Sequence, residues 1–256
     1  MRRRLHFSTL LALTLAPWVV AAQSAATAPP SRIVNGFDAN RLARIDQALQ
    51  SYVDRNEIAG AVALVLRDGR PVYQRAVGWA DRESRKPMTM DAIFRIASQS
   101  KAITSTAVLM LFEEGKIGLG DPVSRFIPQF AHTTVATRSD TGRVISPAKR
   151  EITIHDLLTH TAGISYGTDS IVAPLYAAKG LGPSAGWGWY TADKDEPVCA
   201  TMERLASVPF VAQPGEKWVY GYNLDILGCV VERASGMPLD QFVRTRITEP
   251  LGMKDT

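Results

Sequence analysis

The sequence contains few of the residue patterns that mark redox, metal or nucleotide sites. Its 256 residues include two cysteines, without a C-x-x-C pair, and four histidines, without an H-E-x-x-H pair. No glycine-rich loop opens a helix, which argues against a phosphate-binding loop. Beyond the N-terminal region, no apolar run is long enough to cross a bilayer. We therefore expect no metal, no organic cofactor and no membrane span.

The N-terminal residues have the composition of a secretory signal peptide. Residues 1–22 combine three arginines, a short apolar stretch and small side chains before Gln23. The apolar stretch contains Pro17 and is too short to cross ~30 Å of hydrocarbon. Residues 23–36 are small and polar, so we expect a flexible leader followed by a folded domain over 37–256. The mature protein is expected to be secreted or periplasmic.

The charges of the expected mature chain nearly balance. Three of the 29 basic residues lie in the signal region, which leaves 26 against 25 acidic residues. A balanced surface gives no electrostatic reason to expect nucleic acid or an anionic membrane as a partner. Cys199 and Cys229 are compatible with a disulfide, which an oxidising compartment permits, and equally with two buried thiols.

Hydrophobic periodicity predicts a mixed α+β architecture. Apolar residues three and four positions apart indicate helices, whereas β-branched runs on either side of Asp68-Gly69 indicate a β-hairpin. The expected helices cover 41–52, 98–114 and 224–234, the expected strands cover 59–66 and 72–79, and the expected loops cover 131–150 and 176–197. A lone hairpin is marginally stable, so it should belong to a larger sheet or be covered by helices.

A candidate nucleophile opens the second of these helices. Ser98 and Lys101 form an S-x-x-K motif, whose spacing places hydroxyl and amine on one helix face. The apolar residues that follow predict burial of Lys101, which would lower the pKa of its amine and let it accept a proton. A second match, from Ser146 to Lys149, lies in a polar segment that offers no such burial.

A rival nucleophile lies in residues 163–167 (GISYG), which match the G-x-S-x-G elbow of α/β-hydrolases around Ser165. That elbow needs a strand before it and a histidine after it. The last of the four histidines is His160, and the segment before Ser165 has the pattern of a helix or turn. We therefore interpret Ser165 as a loop hydroxyl.

Five segments occur in an order that is more specific than the S-x-x-K motif alone. They are FRIASQSK at 94–101, EEGKIGLGD at 113–121, ITIHDLLTHTAG at 152–163, QPGEKWVYG at 213–221 and PLGMKDT at 250–256. In this order they resemble the serine β-lactamase-like family, which includes class C β-lactamases, D-alanyl-D-alanine carboxypeptidases and family VIII carboxylesterases. The resemblance implies an α+β fold in which an α/β sandwich adjoins a helical region.

The resemblance also implies an acyl-enzyme mechanism. Ser98 would be acylated, Lys101 would accept its proton, and Tyr220 of the Y-x-N element would assist as a base. We expect Asn223 to contact the substrate, a small-molecule ester or amide. Trp187 lies with Trp189 and Tyr190 in an aromatic loop that either lines the substrate entrance or is simply exposed. Neither a metal nor a cofactor would take part.

The departures from the family pattern favour a carboxylesterase, with β-lactamase and D-Ala-D-Ala carboxypeptidase as alternatives. Tyr222 occupies the position of the lactamase asparagine, and Asn223 falls one place later, a form closer to the esterase branch. The family normally continues to a third motif, K-T-G or a variant, on a strand beside the site. No K-T-G occurs here, so we expect a fold that is incomplete at its C terminus. A non-catalytic binder of cell-wall peptides, acylated without turnover, is the alternative from another class.

Overall fold

The computed structural model describes residues 33–140, 142–182, 191 and 194–256. The predicted signal peptide, the first part of the leader and the aromatic loop with Trp187 lie outside the described residues. Residues 33–36, expected in the flexible leader, are instead ordered: β1 (Ile33–Val34) pairs with β2 (Phe37–Asp38). Asn35 and Gly36 both have positive φ, the conformation of a two-residue hairpin turn, so the Asn-Gly signal explains this correction.

Two compact units make up the chain, the first ending at Ala92 and the second running from Ile93 to Thr256. In the first unit, the Asp38 carboxylate caps helix α1 (Ala39–Asp54) by accepting from the Asn40 N–H at 2.8 Å. An antiparallel sheet contains, in order, β3 (Gly60–Arg67), β4 (Arg70–Asp81) and β5 (Lys86–Pro87). This confirms the predicted hairpin and extends it by one short strand.

The helix of the first unit covers part of its sheet. Tyr73 on β4 donates a hydrogen bond to the Asp46 carboxylate on α1 at 2.7 Å. β3 lies at one edge of the sheet, and among the described residues it pairs only with β4. Leu64 and Leu66 on β3 are each 53% exposed. β3 is therefore an edge strand with apolar side chains open to solvent.

The second unit is mainly helical and contains the candidate site residues Ser98, Lys101 and Tyr220. Its helices are α2 (Ser100–Glu113), α3 (Ile154–Leu158), α4 (Ala173–Ala178), α5 (Val198–Leu205), α6 (Asn223–Ser235) and α7 (Leu239–Val243), the last followed by a π-helical turn over Arg244–Thr248. Helices α2 and α6 pack together at the centre, where Val108, Leu111, Ile226 and Val230 are fully buried. Gly236, with φ of +73°, ends α6 as expected.

Two boundaries in the second unit differ from the sequence-based prediction. The segment 131–150 was predicted as a loop, but it contains a hairpin of β6 (Thr134–Ser139) and β7 (Gly142–Pro147). Only Val135 and Ala136 of these strands are buried, and the exposed positions mix polar side chains with apolar ones such as Val144 and Ile145, so no regular alternation marks the strands. The helix predicted from residue 98 begins as a 3-10 turn, Ala97–Gln99, before α2.

A disulfide joins α5 to α6 through Cys199 and Cys229, whose Cα atoms lie 4.9 Å apart. Of the two alternatives that the sequence leaves open, a disulfide or two buried thiols, the structure contains the disulfide. Closing a loop with a sequence separation of 30 residues stabilises the fold by about 3–4 kcal/mol in the chain-entropy model. Of the helices in the described part of the chain, none has the length and apolarity that a membrane crossing requires.

Candidate active site

The candidate nucleophile Ser98 lies in the turn that leads into α2. Its neighbour Ala97 has φ of +44°, a left-handed conformation that costs a non-glycine residue about 1–3 kcal/mol. Lys101 follows one turn later on α2, and its ammonium donates to Ser98 Oγ at 3.1 Å. The predicted pairing of these two side chains is therefore present.

Tyr220 reaches the same oxygen from a segment 122 residues further along the chain. Its hydroxyl donates to Ser98 Oγ at 2.6 Å. The backbone around it is fixed, because the Val219 N–H donates to the His160 carbonyl at 2.7 Å. At Gly221 a Cβ atom would lie 2.2 Å from the Ile164 carbonyl oxygen, so only glycine permits this approach. Ser98, Lys101 and Tyr220 thus converge, as predicted.

The charges at this site differ from the expectation for Lys101. Burial lowers the pKa of Lys101, but its interactions with the hydroxyls of Tyr220 and Tyr166 outweigh burial, and the net pKa is raised. Burial raises the pKa of Tyr220, but hydrogen bonding with Lys101 and Ser98 outweighs it, and the net pKa is lowered. Burial therefore acts on Lys101 in the predicted direction, but the net pKa is raised, which differs from the expectation of a lowered one. The arrangement favours an ammonium at Lys101 beside a tyrosine of increased acidity.

A second tyrosine, Tyr166, completes the surroundings of Lys101 and was missed by the sequence analysis. Lys101 Nζ lies 5.9 Å from the centroid of the Tyr166 ring and 4.7 Å from that of Tyr220. The Tyr166 ring meets Tyr220 edge to face, with 5.7 Å between centroids. Tyr166 lies within the GISYG segment, whose G-x-S-x-G pattern marks Ser165 and gives no signal for the tyrosine next to it.

Ser165 and Lys149 have no place in this cluster. Ser165 is buried, and its Oγ accepts from the Gly167 N–H at 3.1 Å. This agrees with its interpretation as a loop hydroxyl. Lys149 is exposed and follows β7, and its backbone N–H donates to the Gln213 side chain at 2.8 Å. Neither residue lines the cavity beside Ser98.

The structure does not place Asn223 where a substrate could reach it. Asn223 is fully buried at the start of α6. Its side-chain nitrogen lies 2.9 Å from His160 Nδ1 and donates to the Val219 carbonyl at 3.2 Å. The predicted substrate contact is therefore corrected to a structural one that holds the loop leading to Tyr220. Trp187, the other predicted contact, lies outside the described residues.

His160 lies between this buried amide and the ring of Tyr220. Its imidazole ring lies 4.9 Å from the Tyr220 ring and 5.8 Å from the Trp218 ring, between centroids. Burial and the nearby Lys101 ammonium lower the pKa of His160, so its ring is neutral at physiological pH. His160 thus supports Tyr220 by packing.

A cavity of about 1070 Å³ opens beside Ser98. Much of its wall is apolar, formed by Ile93, Phe94, Ile96, Val198, Leu224 and Leu239. Polar groups, including Lys101, Tyr166, Tyr220, Asp225 and Thr191, lie on the wall as well. A mostly apolar cavity with a few polar groups is typical of a small-molecule site. Within the described residues, no group of three or more histidine, cysteine or acidic side chains is placed to bind a metal.

Comparison with known proteins assigns the chain to a family. Residues 45–256 match the family model described as Beta-lactamase, so the chain belongs to that family. It is 39% identical over 217 residues to esterase EstB of Burkholderia gladioli, covering 85% of this chain and 51% of EstB. It is 33% identical to ML-236A carboxylate methylbutanoyltransferase mlcH of Penicillium citrinum, covering 85% of this chain and 51% of that protein.

The solved structures support the same fold. The structure of EstCE1, a hydrolase with promiscuous acyltransferase activity, superposes with a TM-score of 0.68 at 32% identity. The match covers 83% of this chain and 52% of EstCE1. The chain thus has the β-lactamase-like α+β fold that its motifs predict, and it spans about half the length of the curated relatives it matches.

Proposed function

We propose that this protein is a carboxylesterase that works through an acyl-Ser98 intermediate. The observation that supports this most directly is the convergence of Lys101 and Tyr220 on Ser98 Oγ, at 3.1 and 2.6 Å. A nucleophilic hydroxyl in contact with a base, which is itself oriented by a third group, is the arrangement that covalent catalysis needs.

In the acylation step, Tyr220 accepts the proton of Ser98, and the positive charge of Lys101 stabilises Tyr220 in its deprotonated form. The Lys101 ammonium stabilises the phenolate of Tyr220, which removes the Ser98 proton across their 2.6 Å contact. Ser98 Oγ then bonds to the carbonyl carbon of the ester. When the carbon–oxygen bond to the alcohol breaks, Tyr220 returns the proton to the departing alkoxide, and acyl-Ser98 remains.

Deacylation uses the same groups with water in place of serine. Tyr220 takes a proton from water as the water oxygen bonds to the acyl carbon, and it gives that proton to Ser98 Oγ as the acyl–serine bond breaks. The products are a carboxylic acid and regenerated Ser98. An alcohol in place of water would receive the acyl group instead, so hydrolysis and acyl transfer share the acyl-enzyme.

Ester substrates are favoured over β-lactams by two features. The asparagine of the lactamase pattern is replaced by Tyr222, which is fully buried, and the neighbouring Asn223 is buried as well. The relatives reported above include an esterase and a methylbutanoyltransferase, both of which act on acyl groups by name. Acyl transfer to an alcohol is a second candidate, supported by the cavity of about 1070 Å³, which is large enough for an acceptor beside the acyl group.

Export to a secreted or periplasmic location is part of the proposal. It is supported by the signal-peptide composition of residues 1–22. The disulfide between Cys199 and Cys229 adds support, because such bonds persist in oxidising compartments.

Labelling with a fluorophosphonate probe, followed by turnover of 4-nitrophenyl butyrate, tests the proposal. We expect the probe to label Ser98, Ser98→Ala to abolish both labelling and turnover, and Ser165→Ala, the matched control, to keep both. Turnover of a chromogenic cephalosporin at a comparable rate would favour the β-lactamase alternative. Stoichiometric acylation without turnover would favour the non-catalytic binder, and an adduct on Ser165 would overturn the assignment.

A further inference from the structure

The cavity wall contains an acidic side chain that the proposed mechanism does not use. Asp225, in the first turn of α6, lines the same cavity as Ser98, Lys101 and Tyr166. Thr191 donates a hydrogen bond to its Oδ1 at 2.7 Å. Among the described residues, no side chain donates to the other carboxylate oxygen. Asp225 is half-buried, and besides Thr191 only its own backbone N–H acts as a hydrogen-bond donor to the carboxylate among the described residues, so the presence of this acid in the wall requires a reason.

The other acids of the cavity differ from Asp225. Glu196 is held by the Arg204 guanidinium, which contacts both of its oxygens, and by the Thr201 hydroxyl. Its charge is therefore compensated within the protein. Asp255 is exposed, so solvent and salt screen its charge. Asp225 alone of the three combines an uncompensated oxygen with a position in the wall near the nucleophile.

Lys101 does not remove the charge of Asp225 from the cavity. The ammonium lowers the pKa of Asp225, but burial outweighs this and leaves the pKa raised. Lys101 contacts Ser98, Tyr166 and Tyr220, and within the described part of the chain it forms no ion pair with Asp225. A carboxylate with one open oxygen can accept a hydrogen bond from a substrate or lie beside a substrate cation.

We propose that Asp225, oriented by Thr191, is a specificity-determining residue that favours substrates with a cationic or hydrogen-bond-donating group near the reacting carbonyl and disfavours substrates with a carboxylate there. Aminoacyl esters are the simplest substrates with this chemistry. The proposal rests on the proposed function, because Ser98 must be the acylated residue. It assigns the charge preference to Asp225 within a cavity whose other charged lining residues are Arg95, Lys101, Glu196 and Asp255.

Three fluorophosphonate probes of equal chain length test this preference without requiring turnover. One ends in an alkyl group, one in a trimethylammonium group and one in a carboxylate, and the rate of Ser98 labelling is measured for each. We expect the cationic probe to react at least about tenfold faster than the anionic one, since a charge in a partly desolvated wall acts at reduced dielectric. In Asp225→Asn, the ratio of the cationic to the anionic labelling rate should fall, because only the other charges of the cavity then act on the probes. In the matched control, Asp255→Asn, the ratio should change less than about twofold, since Asp255 is exposed and screened.

Thr191→Val provides a second test that does not remove the carboxylate. Loss of the Thr191 hydroxyl frees Oδ1 and should change the cation-to-anion ratio at least about threefold. This variant decides the question if Asp225→Asn does not fold. Equal labelling rates for the cationic and anionic probes in the natural protein would overturn the role of Asp225. An unchanged ratio of these rates in folded Asp225→Asn would do the same, and either result would leave the proposed function intact. Failure of all three probes to label Ser98 would instead contradict the proposed function.

Discussion

The identity of the proton acceptor can be tested by changing Tyr220 to phenylalanine and Lys101 to arginine. If Tyr220 takes the serine proton, Tyr220→Phe should slow acylation by about 10²- to 10⁴-fold, the usual range for a general base. Lys101→Arg keeps a positive charge beside Tyr220, so it should retain a measurable part of the rate. An arginine cannot become a free amine in this pH range, so Lys101→Arg would be inactive if Lys101 were the base.

The size of the lysine effect follows from its distance to the tyrosine. Lys101 Nζ lies 4.7 Å from the centroid of the Tyr220 ring. Unit charges at this separation attract by about 3.5 kcal/mol at an effective dielectric constant of about 20. Because Tyr220 is 37% exposed, solvent screening reduces this to about 1–2 kcal/mol. Lys101→Met, which removes the charge, should therefore slow acylation about tenfold below the pKa of Tyr220.

The same assignment predicts how the rate of Ser98 labelling changes with pH. The pKa of Tyr220 is lowered and that of Lys101 is raised, and a free tyrosine already titrates slightly below a free lysine, so Tyr220 loses its proton first as the pH rises. We expect the rate of Ser98 labelling to rise with pH up to the pKa of Tyr220 and to fall once Lys101 loses its charge. The fall should disappear in Lys101→Arg. Time courses of fluorophosphonate labelling measure these rates, and an inactive Lys101→Arg beside a nearly normal Tyr220→Phe would refute the assignment.

Two further predictions concern stability. Burial alone would raise the pKa of Asp156, but hydrogen bonds from Arg150 and Thr153 lower it to about 2. The depressed pKa contributes about 2 kcal/mol of stability above pH ~4, which is lost as the pH falls toward 2. Asp156→Asn should therefore lower the free energy of unfolding near pH 7 by about that amount and weaken its acid dependence, as measured by urea unfolding; an unchanged acid limb would contradict this. Ala97→Gly should relieve the positive φ and stabilise the protein by up to about 1 kcal/mol. It should also slow labelling of Ser98 by loosening the turn, and unchanged labelling would show that the left-handed residue does not position the nucleophile.

Features set by neighbouring residues were predictable from the sequence. The hairpin turn at Asp68-Gly69, the end of α6 at Gly236 and the pairing of Ser98 with Lys101 all depend on residues a few positions apart. Local geometry decides these features, so their patterns are visible without knowledge of the fold. Tyr220, 122 residues from Ser98, was reachable only through the family resemblance.

Features set by tertiary contacts were not predictable in this way. The hairpin β6–β7 is largely exposed and carries both polar and apolar side chains at its exposed positions, so it lacks the alternation that marks a strand. Tyr166 and Asp225 enter the cavity wall because of how their segments pack, and no motif marks either residue. Asn223 was assigned to the substrate from the family pattern, but a shift of one residue at the start of α6 turns its side chain toward His160.

The pKa of Lys101 shows why a net direction predicted from burial alone can differ from the one that the full set of contacts produces. An apolar helix reveals burial, and burial acts in one direction only, against the ammonium. The opposing contribution comes from the hydroxyls of Tyr166 and Tyr220, which the fold brings to Lys101 from two separate segments. The S-x-x-K motif therefore locates the candidate nucleophile and the lysine beside it, whereas the proposed proton acceptor, Tyr220, becomes apparent only from the tyrosines that the fold places around them.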